Sequence, residues 1–253
     1  MCLMAFAWQT GEHLLTLLGN RDEFHARPSR EAGFWEAEGL PDLLAGKDLE
    51  AGGTWLGVTR QGRFAALTNV RQPGSPVGTR SRGHLALDYL ASDQSPEAYL
   101  QRIAAEGHLY SGFNLLVGDC QQLWHLNSQE ARPQHLSPGI YGLSNASLDS
   151  PWPKLLDLRN ALAAHLNDDP ASLLDLLGNT DTYTDERLPA TGVSLEWERL
   201  LSARFILGDT YGTRASSLLR LSKDEITFTE RFFGPNGTAL GKNCWLLELD
   251  QRP

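Results

Sequence analysis

The chain has 253 residues, of which 41% are hydrophobic and 21% are charged, a composition typical of globular proteins and a length that one hydrophobic core can still organise. We therefore expect a single domain over residues 1–253. The net charge of −9 and the lack of a lysine- and arginine-rich run argue against nucleic acid as a partner.

The N-terminal segment lacks a basic leader with a cleavage site, and no apolar run reaches the roughly 18 residues that cross a bilayer. We therefore expect a cytoplasmic protein without a transmembrane segment. The chain has 3 cysteines at wide spacings, which is neither a disulfide framework nor a zinc pattern and fits a reducing compartment.

The first predicted elements are two hairpins. CLMAFAW and LLTLLG are strand-like runs joined by the polar reversal QTGEH, so Cys2 is expected at the tip of the first strand. GTWLGVTRQGRFAALTNV contains two more strand-like runs around a turn at Gln61-Gly62, and Asn69 ends the second of them.

Helices and strands then alternate. Residues 81–92 and 95–106 are predicted helices, the second with Ser95 as N-cap and Pro96 at its first position. The later predicted elements are strands at 112–119, 121–127 and 139–146, helices at 154–166 and 171–178, a loop at 179–192, and strands at 204–208, 213–221 and 225–233. Strands joined by short turns and alternating with helix pairs favour an α+β fold, two mostly antiparallel sheets covered by helices in an αββα arrangement.

Common catalytic motifs are absent, including GxxxxGK[ST], GxGxxG, HExxH, GxSxG and CxxC. Cys2 is the residue whose position suggests chemistry, because removal of Met1 would leave its α-amino group free to accept the proton of its own thiol. A small buried apolar side chain and a palmitoylation site are the alternative interpretations of Cys2.

Asn20-Arg21-Asp22-Glu23 follows the second predicted strand. Four consecutive polar residues next to a strand pair are often a solvated turn. The hairpin, however, would bring them near Cys2, where a carboxylate can hold an ammonium group and an arginine can bind an anionic or carbonyl group.

Six ordered blocks of the chain resemble the NRDE family, whose eukaryotic members are called Transport and Golgi organisation proteins. They are MCLMAF, GNRDEFHARPS, GGTWLGVTRQGRFAALTNVR, EGHLYSGFNLLVGD, YGLSNASLDSPWPKL, and DTYGTRASSLLRL with ITFTERFF. That family in turn is similar to the choloylglycine hydrolase and penicillin acylase group, which implies an N-terminal-nucleophile-hydrolase-like fold.

The resemblance also implies roles for individual residues. Cys2 matches the nucleophile, Arg21 and Asp22 fall in the region of an orienting Arg and Asp, Asn69 and Asn145 match two asparagines, and Arg214 in YGTR matches a later arginine. The relatives space the Arg and Asp apart, whereas Arg21 and Asp22 are adjacent, so Asn20 and Glu23 are alternatives for one of these roles.

Two functions follow from the resemblance. One is the binding or trafficking of an apolar, partly anionic small molecule, haem or acyl-coenzyme A, with Asn20, Arg21, Glu23, Arg71 and Arg214 as ligand-binding residues; this is the preferred expectation. The other is hydrolysis of a small acyl-amide or thioester by Cys2. No metal and no required cofactor are predicted, haem being expected only as cargo, and the sequence predicts no oligomeric state.

Overall fold

The computed structural model describes residues 2–250. Its strands form two antiparallel sheets, a six-stranded sheet and a seven-stranded sheet. In order across the six-stranded sheet, the strands are β10 (Gly139–Leu143), β1 (Cys2–Trp8), β2 (Leu15–Phe24), β11 (Tyr211–Leu221), β12 (Glu225–Phe233) and β13 (Ala239–Glu248). In order across the seven-stranded sheet, they are β3 (Ser29–Trp35), β4 (Leu40–Asp48), β5 (Leu56–Thr59), β6 (Phe64–Asn69), β7 (Phe113–Gly118), β8 (Leu123–Asn127) and β9 (Gln134–His135).

Helices cover the outer faces of both sheets. The α-helices are α1 (Gly83–Leu90), α2 (Pro96–Glu106), α3 (Pro153–His165), α4 (Pro170–Asp175) and α5 (Leu195–Leu200). Side chains of α1 and α2 pack on the seven-stranded sheet, and those of α3 and α4 pack on the six-stranded sheet. A third apolar cluster fills the space between the sheets. The predicted α+β fold with αββα layers is confirmed.

The alternation of β1 sets the direction of the Cys2 side chain. Leu3, Ala5 and Ala7 belong to the cluster under α3 and α4, whereas Cys2 and Met4 belong to the cluster between the sheets. Successive strand residues point to opposite faces. The Cys2 thiol therefore points toward the seven-stranded sheet, at the end of the space between the sheets.

The first hairpin is confirmed. Gly11, with φ +82°, lies in the reversal between β1 and β2, a conformation that glycine adopts without strain. The register places Cys2 directly opposite Arg21. The second hairpin, both helices of the central region and the strands at 211–221 and 225–233 also form, with ends shifted by a few residues at most.

The predicted strand at 204–208 is wrong. This segment is a buried irregular loop whose backbone is bonded elsewhere: Phe205 N–H donates to Asn179 O at 2.8 Å, and Ile206 N–H donates to Thr213 Oγ1 at 2.9 Å. Phe205 and Ile206 are buried, whereas Leu207 is 46% exposed, and no strand ladder forms there.

Five elements are additional to the prediction: β3, β4, β9, β13 and α5. The pairing of β3 with β4 is interrupted twice by register shifts, which removes the regular alternation that identifies a strand. The predicted helix at 171–178 is α4 followed by a 3-10 turn over Leu176–Gly178. Within residues 2–250, no helix is both long and apolar enough to cross a membrane.

Candidate functional site

A cavity of about 360 Å³ opens where β1 begins and β2 ends, and Cys2 lines it. Residues from both sheets and from the segment before α1 form its wall. They include Cys2, Arg21, Asp22, Glu23, Arg27, Asp48, Trp55, Asn69, Arg80 and Arg82. The cavity thus brings together residues from six separate parts of the chain.

Cys2 lies in the wall of this cavity and is 7% exposed. Its carbonyl oxygen accepts a hydrogen bond from Ser144 Oγ at 3.3 Å, which connects the start of β1 to the turn after β10. Burial raises the pKa of the Cys2 thiol, so the resting side chain is a neutral thiol. Met1, on which the freeing of the Cys2 amine depends, lies outside the described residues.

Arg21 and Asp22 are adjacent in β2 and leave the strand on opposite faces. The Arg21 guanidinium points between the sheets, where its Cζ lies 4.4 Å from the centroid of the Trp55 ring and its Nη2 lies 3.6 Å from Asp48 Oδ2. Asp22 is 1% exposed, and its Oδ1 accepts a hydrogen bond from Thr213 Oγ1 at 2.7 Å. Arg21 therefore lies on the face of the six-stranded sheet toward the other sheet, and Asp22 lies on the face toward the helices. Both residues line the cavity.

Two buried charges meet on the helical side of the sheet. Burial raises the pKa of Asp22, and the positive charge of Lys154 opposes that rise. Burial lowers the pKa of Lys154 to about 8, and its Nζ donates to Leu201 O at 2.6 Å. Among the charged neighbours, Lys154 does most to favour the ionised form of Asp22.

Asn20 and Glu23, the alternatives within the same motif, differ in position. The Asn20 amide donates to Leu177 O at 3.1 Å and Arg204 O at 2.8 Å, and its Oδ1 accepts from Ser216 Oγ at 2.6 Å. Through these hydrogen bonds, Asn20 fixes the segments that contain Leu177 and Arg204 to the six-stranded sheet. Glu23 lines the Cys2 cavity.

Asn69 and Asn145 are joined beside the cavity. The Asn145 amide donates to Asn69 O at 2.9 Å, and Asn145 is 1% exposed. Asn69 lines the cavity, whereas the Asn145 side chain is used to hold the end of β6. The two asparagines named from the resemblance are thus neighbours, although 76 positions separate them.

Arg71 and Arg214 are not among the residues that line this cavity. Arg71 Nη1 lies 3.0 Å from Glu198 Oε2 in a buried ion pair, with side-chain exposures of 5% and 6%. Arg214 donates to the carbonyl oxygens of Phe24 and Arg27, each at 3.1 Å, and lines a separate cavity of about 30 Å³. In this arrangement both side chains stabilise neighbouring loops.

Arg82 is a cavity residue that the sequence analysis did not single out. Its Nη1 donates to Gly112 O at 3.1 Å, and burial lowers the pKa of its guanidinium. Arg82 makes no ion pair with a carboxylate of residues 2–250. Two arginines in the segment TRSRGH, at the start of the helix predicted over 81–92, were the available signal.

Asn114 was also missed, although it organises the turn that carries Asn145. Its amide donates to Thr68 Oγ1 at 3.1 Å and Ala146 O at 2.8 Å, and its Oδ1 is bonded to His125 Nε2 at 3.1 Å. The cluster is buried, and burial lowers the pKa of His125 to about 4. The ring is therefore neutral at pH 7.

The fold has solved counterparts. Two crystal structures of a conjugated bile acid hydrolase from Clostridium perfringens, a mutant C2A and a second variant, superpose with TM-scores of 0.54 and 0.56. Each covers 100% of this chain and 94% of the bile acid hydrolase chain, at 9% and 10% identity. This likeness concerns the fold, which is the N-terminal-nucleophile-hydrolase-like fold expected from the sequence.

Similarity at the level of sequence is closer. The Transport and Golgi organization protein 2 homolog of Bos taurus is 36% identical over 259 residues, which cover 91% of this chain and 92% of the bovine protein. The family model described as Transport and Golgi organisation 2 matches residues 1–235. The chain therefore belongs to the Transport and Golgi organisation 2 family.

Proposed function

We propose that the Cys2 cavity binds a small molecule with an anionic group and an apolar part, and carries it without consuming it. The observation that supports this proposal best is Arg82, a half-buried cation on the cavity wall that makes no ion pair with a carboxylate of residues 2–250. A charged group out of bulk water is stabilised by an opposite charge. An anionic group on the ligand would supply this opposite charge to Arg82.

The other arginines of the cavity are each paired with a carboxylate. Asp48 Oδ2 lies 2.6 Å from Arg27 Nε and 3.6 Å from Arg21 Nη2. Arg80 Nη1, at the outer edge, lies 3.3 Å from Glu106 Oε2. Arg82 is therefore the arginine best placed to meet a ligand carboxylate or phosphate without first breaking an ion pair.

Apolar contacts would come from Trp55, Leu67 and Val77, which line the same cavity. Haem and acyl-coenzyme A each combine propionate or phosphate groups with an apolar portion, so they are the ligands we propose to test. A neutral Cys2 thiol contributes little to binding either one unless it loses its proton and ligates iron.

The test is titration of purified protein with haem and with an acyl-coenzyme A, followed by absorbance and calorimetry. We expect saturable one-to-one binding, with the ligand recovered unchanged. Arg82→Ala should weaken binding about tenfold to hundredfold, because a charge-assisted hydrogen bond contributes roughly 1.5 to 3 kcal/mol. Arg82→Lys, which keeps the charge, should retain part of the affinity.

Arg102→Ala is the matched control, since Arg102 is a partly exposed arginine of α2 that does not line the cavity. The Arg102→Ala variant should bind both ligands with the affinity of the wild type. Absence of saturable binding for both ligands, or equal weakening in the Arg82 and Arg102 variants, would overturn the proposed binding mode.

Hydrolysis by Cys2 is the second candidate, and one observation favours it. Of the three cysteines, Cys2 lines the cavity, and Cys120 and Cys244 do not. The Clostridium perfringens hydrolase of the same fold is described with a cysteine-to-alanine change at position two, the position of the cysteine here.

The hydrolytic step would begin with transfer of the thiol proton to the free α-amino group. The sulfur then bonds to the carbonyl carbon, the carbon–nitrogen or carbon–sulfur bond breaks, and the leaving group takes the proton. Water hydrolyses the resulting thioester and releases the acid. Met1 must be removed first, and intact mass of untagged protein measures that.

Cys2→Ala and Cys2→Ser should abolish cleavage of a simple acyl-amide or thioester, if cleavage occurs. Cys120→Ala and Cys244→Ala are the matched controls and should keep full turnover. Turnover that survives Cys2→Ala would exclude this mechanism. Cleavage that depends on Cys2, together with the absence of saturable ligand binding, would favour hydrolysis over the binding proposal.

A further inference from the structure

The strand β13 forms one edge of the six-stranded sheet. Within residues 2–250 it pairs with β12 and with no other strand. An edge strand of 10 residues leaves alternate N–H and C=O groups pointing away from the sheet, where another strand can bind them.

One face of β13 is also open to solvent. Lys242, Cys244, Leu246 and Glu248 alternate along this face and are all exposed, with Leu246 at 67%. Trp245 and Leu247, on the opposite face, pack against the core between the sheets. The outer face thus presents apolar side chains beside an unpaired backbone edge.

The charges of this face are placed next to like charges. Lys242 lies opposite Arg231 of β12, and Glu248 lies opposite Glu225. Like charges directly across a strand pair are destabilising. Arg231 has its own partner, Asp175, at 2.6 Å, but neither Lys242 nor Glu248 makes an ion pair with the described chain.

We propose that β13 is the self-association surface of this protein, pairing antiparallel with β13 of a second copy about a two-fold axis at Trp245. This register places Lys242 opposite Glu248 of the other copy and Cys244 opposite Leu246, and the symmetry repeats each pair. The occupant is a second copy because the pattern Lys-x-Cys-x-Leu-x-Glu is complementary to itself when reversed. Such a two-fold interface is the commonest arrangement of soluble oligomers.

This pairing would give partners to the backbone groups, the apolar side chains and the charges of β13 that lack them in the monomer. The free backbone groups of the edge become hydrogen-bonded, as in any antiparallel ladder. Leu246 and Cys244 from both copies form one apolar cluster, and each unpaired charge gains an opposite charge. Two six-stranded sheets become one continuous sheet.

The first test is sedimentation of purified wild-type protein over a range of concentrations. We expect a reversible monomer–dimer equilibrium. Lys242→Glu should raise the dissociation constant about tenfold or more, because it removes two opposite-charge contacts and introduces two like-charge contacts. Glu248→Lys should do the same, and the double variant K242E/E248K should restore dimerisation.

Disulfide cross-linking between two copies tests the proposed register directly. Leu246→Cys should form a disulfide with Cys244 of the other copy under mild oxidation, because directly opposite strand residues have the Cα separation that a disulfide requires. L246C/C244S should not cross-link. Leu240→Cys is the matched control, similarly exposed near the start of the same strand but with no cysteine opposite it.

The changed side chains are exposed, so each variant should keep its fold, and circular dichroism checks that. A wild type that stays monomeric at the highest soluble concentration would overturn the proposal. So would a dimer that is unchanged by K242E, or cross-linking that is equal in L246C and L240C.

Discussion

Asn114 joins segments that are distant in sequence. Its side chain bonds to Thr68 of β6, to His125 and Asn127 of β8, and to the carbonyl oxygen of Ala146. The turn that it holds carries Ser144, which bonds to Cys2 O, and Asn145, which bonds to Asn69 O. The amide thus positions the wall of the cavity without lining it.

Asn114→Ala should lower the free energy of unfolding by about 3 kcal/mol, because it leaves several buried polar groups without partners. Urea unfolding measures this change. Asn160→Ala is the matched control, since Asn160 is exposed on α3, and it should change stability by less than about 0.5 kcal/mol. A loss in the Asn114 variant as small as that of the control would show that the network contributes little.

The role of Asn114 was not predictable from its local sequence. Asn114 lies within FNLLVG, which the sequence analysis interpreted correctly as a strand. Its partners lie 11 to 46 positions away, and only the pairing of β6, β7 and β8 brings them together. Cys2 and Arg21, by contrast, could be placed together because one short hairpin joins them.

The approach of α1 to the turn before β5 is an interaction between elements that depends on glycine. A Cβ on Gly53 would overlap the carbonyl carbon and Cα of Gly83, the first residue of α1. Thr54 N–H donates to Gly83 O at 3.1 Å across this contact. Since Thr54 and Gly83 both line the cavity, the close approach shapes its floor.

Gly53→Ala should destabilise the protein by about 2 kcal/mol, because neither backbone can move without breaking the contact. Gly107→Ala is the control: Gly107 has φ −54° and ψ −29°, and no atom lies within 4 Å of an added Cβ. That variant should be neutral or slightly more stable. Thermal unfolding of both proteins makes the comparison, and equal midpoints would contradict the steric argument.

Elements with strong local signals were predicted well. The start of α2 is an example, because Ser95 Oγ accepts from Ala98 N–H at 3.3 Å and Pro96 begins the helix. The strands β3 and β13 were missed because the pairing of each contains a register shift, and because β13 begins with four exposed residues instead of an alternating pattern. Their formation depends on pairing with neighbours, which local sequence does not encode.

Across the whole molecule, the two sheets are linked at the open end by a buried carboxyl group. Glu230 of β12 is 1% exposed. Its Oε1 accepts from Ala32 N–H of β3 at 2.7 Å, and its Oε2 accepts from Ser217 Oγ at 3.2 Å. Glu230 also lines the small cavity beside Arg21 and Arg214. Burial raises the pKa of Glu230 from 4.5 to about 7.

This pKa shift makes the packing of the sheets dependent on pH. Between about pH 4.5 and pH 7 the folded protein holds a proton that the unfolded chain has released, so the free energy of unfolding contributed by Glu230 falls as pH rises, by about 3 kcal/mol in total.

Glu230→Gln cannot titrate, and its oxygen can still accept from Ala32 N–H. The stability of the variant relative to the wild type should therefore increase by about 3 kcal/mol from pH 4.5 to pH 7 and then stay constant. Urea unfolding at a series of pH values measures the difference, with the exposed Glu130→Gln as a control that should give a flat profile. A flat profile for Glu230→Gln as well would mean that Glu230 is ionised throughout and that its two hydrogen bonds outweigh its burial.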